Sequence, residues 1–252
     1  MRGILIFAAL VTAGGLPALA DVCGRDDVQG AYGFQLSGTT TIGAFGPQQQ
    51  AAIGRLVFAS DRSISGVSSV NLNGYFLGNP VIGTYAFKTD CTLSFELQDD
   101  SGATQHFQGL SKPGGNSVAI HQTDEGAGGR GVMERSYGGC SVVSLNGSYA
   151  FGLSGTASQF ATDRAPGAPF TVSGTVKADG AGGLAVTTAD GETTGSYQVD
   201  GDCVVEAQMG VMSGESASIV KLRGVLVKGG KLLLAVESDP AHTATAQFTA
   251  KP

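Results

Sequence analysis

The 252-residue chain contains no tryptophan, only 8 prolines and only 14% charged residues. Each shortage removes a class of protein. Without tryptophan there is little to build the aromatic girdles of an outer-membrane barrel. The prolines are too few, and the glycines keep no three-residue period, so a collagen-type helix is excluded. Charge is scarce but so is net charge, at -6 against 42% hydrophobic residues, which is too apolar for a disordered chain. Basic residues form no clusters and the chain is acidic overall, which excludes nucleic acid as a partner. Beyond residue 20 no apolar run reaches the ~20 residues a spanning helix needs, so the mature chain carries no transmembrane segment.

Glycine is what the chain has in excess, with 40 residues. Each glycine inside a helix costs roughly 1 kcal/mol, so this composition points to short strands and many tight turns. The start of the chain reads differently. Met1-Arg2 precedes an apolar run, and Ala18-Leu19-Ala20 gives the small-x-small pattern of a signal peptide cleaved before Asp21. Residues 1–20 are therefore expected to be removed, leaving a secreted or periplasmic protein. Losing Arg2 takes the 15 basic residues to 14 against 21 acidic ones, a net charge of -7.

The remainder is written twice. CGRDDVQGAYGFQLSG at 23–38 recurs as CSVVSLNGSYAFGLSG at 140–155, an offset of 117. GTYAFKTDC at 83–91 recurs as GSYQVDGDC at 195–203 with an offset of 112. Gly109, Gly114-Gly115 and Asp124 recur as Gly224, Gly229-Gly230 and Asp239 with an offset of 115. Two domains are expected, near 21–138 and 139–252. Within each, large apolar residues fall on every second position, as in Tyr32, Phe34, Leu36 and again Tyr149, Phe151, Leu153. That is the period of a strand. Turn formers such as Asp61-Arg62, Asn71-Leu72-Asn73-Gly74, Asp179-Gly180 and Lys228-Gly229-Gly230 divide each copy into about eight strands. Short connections make neighbours antiparallel. The fold class is all-β, as two tandem antiparallel barrels of about eight strands each, with a pair of β-sandwiches as the alternative.

The opening C-x(5)-[QN]-G-x-Y-x-F-x-L-S-G and the later G-[TS]-Y-x(5)-C resemble exported bacterial β-proteins with calycin-like barrels, including allene oxide cyclase barrel-like domains. The resemblance implies a small barrel. That class holds binders and a few cyclases, and no catalytic residue of the class maps onto a motif in this chain.

Four cysteines allow three pairings. Duplication favours Cys23–Cys91 and Cys140–Cys203, since a single ancestral copy carries its own pair. No C-x-x-C spacing points to redox or metal chemistry instead. A loop of that length is worth about 4 kcal/mol in the chain-entropy model.

Motifs for chemistry are scarce. There is no G-x-S-x-G elbow. The Gly126–Gly131 and Gly180–Gly183 stretches lack the Lys-Ser/Thr of a phosphate loop and read as hairpin loops. Asn146-Gly147-Ser148 reads as a strand start. Asp99-Asp100 and Asp124-Glu125 read as solvated turns rather than calcium ligands, and His106, His121 and His242 as solvent-facing or loop residues. Glu96 should face outward, opposite Leu93, Phe95 and Leu97, and the phase of Glu134 is ambiguous. No metal, cofactor or catalytic constellation emerges. The reading is of a binding or interaction module for a small apolar ligand or a cell-surface partner. The alternative is a cyclase or isomerase acting on an apolar substrate, which requires a barrel cavity with a buried carboxylate or tyrosine. A single outer-membrane barrel of about sixteen strands is the third and weakest reading.

Overall fold

The computed structural model describes residues 23–41, 46–213 and 216–252; residues 1–20, expected to be a signal peptide, lie outside them. Sixteen strands follow in order. The first eight are β1 (Gly30–Thr41), β2 (Pro47–Phe58), β3 (Ser63–Leu72), β4 (Tyr75–Phe87), β5 (Thr92–Asp99), β6 (Thr104–Ser111), β7 (Ser117–Gln122) and β8 (Arg130–Arg135). The second eight are β9 (Asn146–Ala157), β10 (Pro169–Asp179), β11 (Gly183–Thr188), β12 (Gly191–Val199), β13 (Val204–Ser213), β14 (Ser216–Val227), β15 (Leu232–Glu237) and β16 (His242–Ala250). Each set of eight is a closed antiparallel barrel of sequential neighbours. Closure comes from β1 pairing β8, with Tyr32 opposite Arg135, and from β9 pairing β16, with Phe151 opposite Phe248. Closing a sheet on itself removes its unpaired edges, which is why a meander of eight strands settles as a barrel.

Two strands depart from the turn signals. β4 begins at Tyr75, directly after the Asn71–Gly74 turn signal, and runs through Gly78-Asn79-Pro80. Residues 75–80 of β4 pair with β3, and the β5 ladder begins only at Val81. Proline, which cannot donate to a ladder, is tolerated at such a one-sided position. Asn71, expected in a turn, is instead a fully buried residue of β3. The turn itself is only Asn73-Gly74, both at positive φ.

Disulfides join Cys23 to Cys91 and Cys140 to Cys203. Each ties the segment leading into the first strand of its barrel to the tight turn between the fourth and fifth, where Cys91 and Cys203 have nearly identical positive φ. The pair of tyrosines on β1 and β9 is equally matched. The Tyr32 hydroxyl donates to the Gly115 carbonyl at 2.5 Å, and the Tyr149 hydroxyl to the Gly230 carbonyl at 3.0 Å. Burial pushes the Tyr32 hydroxyl up to about 12, against the pull of Arg135.

The interiors are filled differently. In the first barrel Phe58 packs edge-on against Tyr32, Tyr85 and Phe95, and Phe95 stacks on Phe107 at 4.7 Å. At the matching rungs of the second barrel stand Ala178, Ala207 and Leu222 in place of Phe58, Phe95 and Phe107.

The barrels meet along an apolar seam made by outer faces. Ala51 and Ile53 of β2 pack with Val225, Val227, Leu234 and Val236 of β14 and β15. Gly33 lies in this seam, where an added Cβ would come within 2.7 Å of Val227 Cγ1. Polar groups fix the register. Gln35 Nε2 donates to the carbonyls of Ala235 and Ala246, and Gln247 Nε2 donates to Gln35 Oε1. Asn71 Nδ2 donates to the carbonyls of Glu237 and His242, both at 2.8 Å. Glu134, whose phase was ambiguous, points away from the barrel core into this seam and pairs with Lys228 at 3.0 Å.

Candidate functional site

Both barrels open at the end where Leu36 and Leu153 stand, and ladder register makes their mouths comparable residue by residue. Leu36 pairs Gly131, which pairs Ile120; Leu153 pairs Ala246, which pairs Ala235. Two residues further along the strands, Gln122 of β7 therefore occupies the rung of Glu237 of β15. By the same reasoning Gln50, Asp99 and Gln105 in the first mouth correspond to Phe170, Val211 and Val220 in the second.

These exchanges decide what each mouth can hold. In the first, Gln50 Nε2 donates to Gln122 Oε1 at 2.6 Å and both amides are buried. The cavity left beside them is about 60 Å³, room for roughly two waters. In the second, Leu153, Phe170, Val172, Val211 and Val220 wall a cavity of about 370 Å³. That volume lies at the small end of ligand pockets, which run upward from roughly 300 Å³.

The polar end of the second cavity is built by β15, β16 and the segment between β9 and β10. Glu237 ends β15 on the same side as the core residues Leu233 and Ala235, so its carboxylate enters the barrel and is 1% exposed. A five-residue step across the connecting turn brings His242, the first residue of β16, alongside it. His242 Nδ1 lies 3.0 Å from Glu237 Oε1. His242 Nε2 faces Asp163 Oδ1 at 3.5 Å, and its ring lies 4.6 Å from that of Phe170. Arg164 is held over Phe170 at 5.0 Å and bonded to Asp163 at 2.8 Å.

Burial raises the Glu237 carboxyl above its ordinary value, opposed by His242. The hydrogen bond to Glu237 raises His242, opposed by burial. Glu237 Oε2 and His242 Nε2 are buried and make no hydrogen bond among the described residues. A buried polar atom without a partner costs about 1–3 kcal/mol, so Glu237 Oε2 carries an unused bonding capacity, whereas His242 Nε2 is engaged by the charge of Asp163.

His242 is thus neither a loop nor a solvent-facing histidine: the turn from β15 folds it back onto a buried carboxylate. His106 is exposed and pairs with Asp124 at 2.7 Å, and His121 lies half-buried on the outside of the first barrel. Glu96 faces outward beside Thr84 and His106. Asp99 accepts from the backbone of Ser101 and Ala103 in its own turn. Among the described residues no group of three or more metal-ligating side chains converges, and no helix is long and apolar enough to cross a membrane. Sequence reasoning did not single out Glu237 and put His242 at the surface, because neither lies in a motif. The one available signal was the offset of 115, which sets Glu237 against Gln122 and marks a gain of charge at a core position.

No protein-family model matches the chain, and a search of curated proteins returns no match. Among solved structures, similarity extends to isotype 1 transferrin binding protein B from serogroup B Neisseria meningitidis. It has 7% identity and a TM-score of 0.35 over 88% of this chain and 75% of that one. An AttH-like protein from Nitrosomonas europaea has 9% identity and a TM-score of 0.27 over 96% of this chain and 99% of that one. A protein of unknown function from Nostoc punctiforme has 10% identity and a TM-score of 0.25 over 89% and 96%. These likenesses are too distant to transfer an activity or a partner.

Proposed function

We propose that the chain is an exported binding protein whose second barrel takes up a small apolar molecule at its mouth. The observation that carries this reading is the exchange of Gln50, Asp99 and Gln105 for Phe170, Val211 and Val220, which turns a polar, nearly filled mouth into a cavity of about 370 Å³ with one apolar wall. Export is supported by the signal-like residues 1–20 and by two disulfides, which persist in oxidising compartments. The division into domains near 21–138 and 139–252, and kinship with calycin-like barrels, belong to the same proposal and are supported by the two closed barrels.

The test uses the neutral fluorescent probe N-phenyl-1-naphthylamine. Saturable binding at one site is expected, abolished by Val220→Trp in the second cavity and retained in Ala103→Trp at the first mouth. Binding unchanged in Val220→Trp would show that the probe sits elsewhere and would remove the proposal.

A cyclase or isomerase acting in the same cavity is a second reading. It is favoured by one observation, the Glu237–His242 pair, because a carboxylate–imidazole couple beside a bound substrate can pass a proton. Recovery of a bound apolar molecule chemically unchanged after long incubation separates a binder from an enzyme.

A further inference from the structure

We infer that the molecule taken up by the second barrel is a cation: an apolar body bearing a protonated amine, which stays at the carboxylate end of the cavity. This rests on reading that cavity as a ligand site, and it adds the charge of what enters. Asp163, Glu237 and Asp239 line the cavity together with Arg164 and His242. Both cations are already engaged. Arg164 is bonded to Asp163 and lies over the Phe170 ring, and His242 stands between Glu237 Oε1 and Asp163 Oδ1. Neither is free to receive an anion. On the acidic side, Asp239 accepts from the backbone N–H of Ala241 and pairs with no cation among the described residues. Glu237 Oε2 is buried without a donor. Even with His242 protonated, three carboxylates stand against two cations, and the lining keeps a negative excess.

The same sign extends over the surroundings of the cavity. Asn71, at the β3–β4 turn, bonds to the β15–β16 turn, so both mouths open on one end of the molecule. Around that end stand Asp99, Asp100 and Glu125 of the first barrel and Asp190 and Glu192 of the second, with Arg130 the one further basic residue among those described. At the opposite end the signs are mixed: Lys112, Lys228 and Lys231 share it with Asp179, Asp200 and Asp202. A cleft rimmed by one sign of charge over an apolar wall focuses its field and concentrates the opposite ion. Within the cavity, burial raises the Glu237 carboxyl and His242 opposes it, while Asp239 and Asp163 add a repulsion that a nearby cation would relieve. The carbon part of the ligand would rest on Leu153, Val172, Val211 and Val220.

The experiment measures binding of octylamine, 1-octanol and octanoate to the full mature chain by titration calorimetry near pH 7, in low and in high salt. Octylamine is expected to bind about tenfold more tightly than octanol, with octanoate the weakest, and high salt should narrow the spread. Asp239→Asn keeps an acceptor for the Ala241 N–H. It should cut the octylamine-to-octanol preference by about threefold or more, while octanol affinity stays within about twofold. That retained octanol affinity shows that the variant still folds. Val220→Trp should abolish binding of all three. Equal binding of octylamine and octanol, or tighter binding of octanoate, would overturn the charge assignment and leave the apolar site standing. Octylamine binding that survives Val220→Trp would place the amine on the acidic surface outside the cavity and overturn the assignment as well. If none of the three binds, both the assignment and the site reading fail.

Discussion

Gly33 and Gly152 look alike in the sequence, each set within a strand opposite a Tyr-Phe-Leu face, yet their surroundings are opposite. An added Cβ at Gly33 would meet Val227 and Val225 of the other barrel, including the stiff Val225 Cβ at 3.1 Å, whereas at Gly152 it meets nothing within 4 Å. Gly33→Ala should therefore destabilise by about 1–3 kcal/mol through overpacking. Gly152→Ala should be neutral or stabilise by up to about 1 kcal/mol, since glycine weakens a strand interior. Denaturant titration of the two variants decides this; similar losses at both sites would refute it. His242 carries a second expectation. Its imidazole is held above the ordinary 6.5 by the bond to Glu237, so the folded chain holds that proton more firmly than the unfolded chain does. Stability gained this way is complete below 6.5 and is lost as pH rises through the raised value. The stability deficit of His242→Gln should be larger near pH 6 than near pH 9. Glu237, Asp163 and Arg164 face the same ring; the two carboxylates favour its protonated form and Arg164 opposes it.

At the scale of elements, the β3–β4 hairpin of one barrel is an anchor for the β15–β16 turn of the other. Asn71 donates to the carbonyls of Glu237 and His242 and accepts from Gly74 N and Thr243 Oγ1. Asn71→Ala should cost about 1–3 kcal/mol by leaving buried carbonyls without donors. It should also weaken probe binding at the second mouth, although residue 71 belongs to the first barrel; full affinity in a destabilised variant would contradict this coupling. Most strands could be read from sequence because one face of each is buried, which writes a period of two into it. Barrel closure leaves no local trace, because the β1–β8 pairing joins segments about a hundred residues apart; it was expected only because closing eight antiparallel strands removes the sheet's edges. Asn71 was misread because Asn-Leu-Asn-Gly has turn chemistry throughout, and only the second barrel gives its first asparagine something better to bond. The pairing of Glu237 with His242 escaped notice for a related reason: it depends on a turn geometry and an inward rung that neither residue signals alone.

At the scale of the molecule, the seam joins unlike faces of two related barrels. The outside of β1–β2 on the first meets the outside of β14–β15 on the second. Related copies joined through different faces leave one unused face at each end. Register identifies those faces. Thr171 and Ser173 stand where Ala51 and Ile53 stand in the first barrel, and Lys112 and His121 stand where Val227 and Val236 stand in the second. Thr171, Ser173 and Lys112 are exposed. Restoring the seam chemistry with Thr171→Ala, Ser173→Ile, Lys112→Val and His121→Val together should produce concentration-dependent end-to-end association in sedimentation, while the parent chain remains unassociated under the same conditions. A head-to-tail contact that does not close into a ring is the geometry of a fibre. The exposed polar side chains of Thr171, Ser173 and Lys112 on the two free faces therefore oppose repetition, between chains, of the contact made once inside the chain.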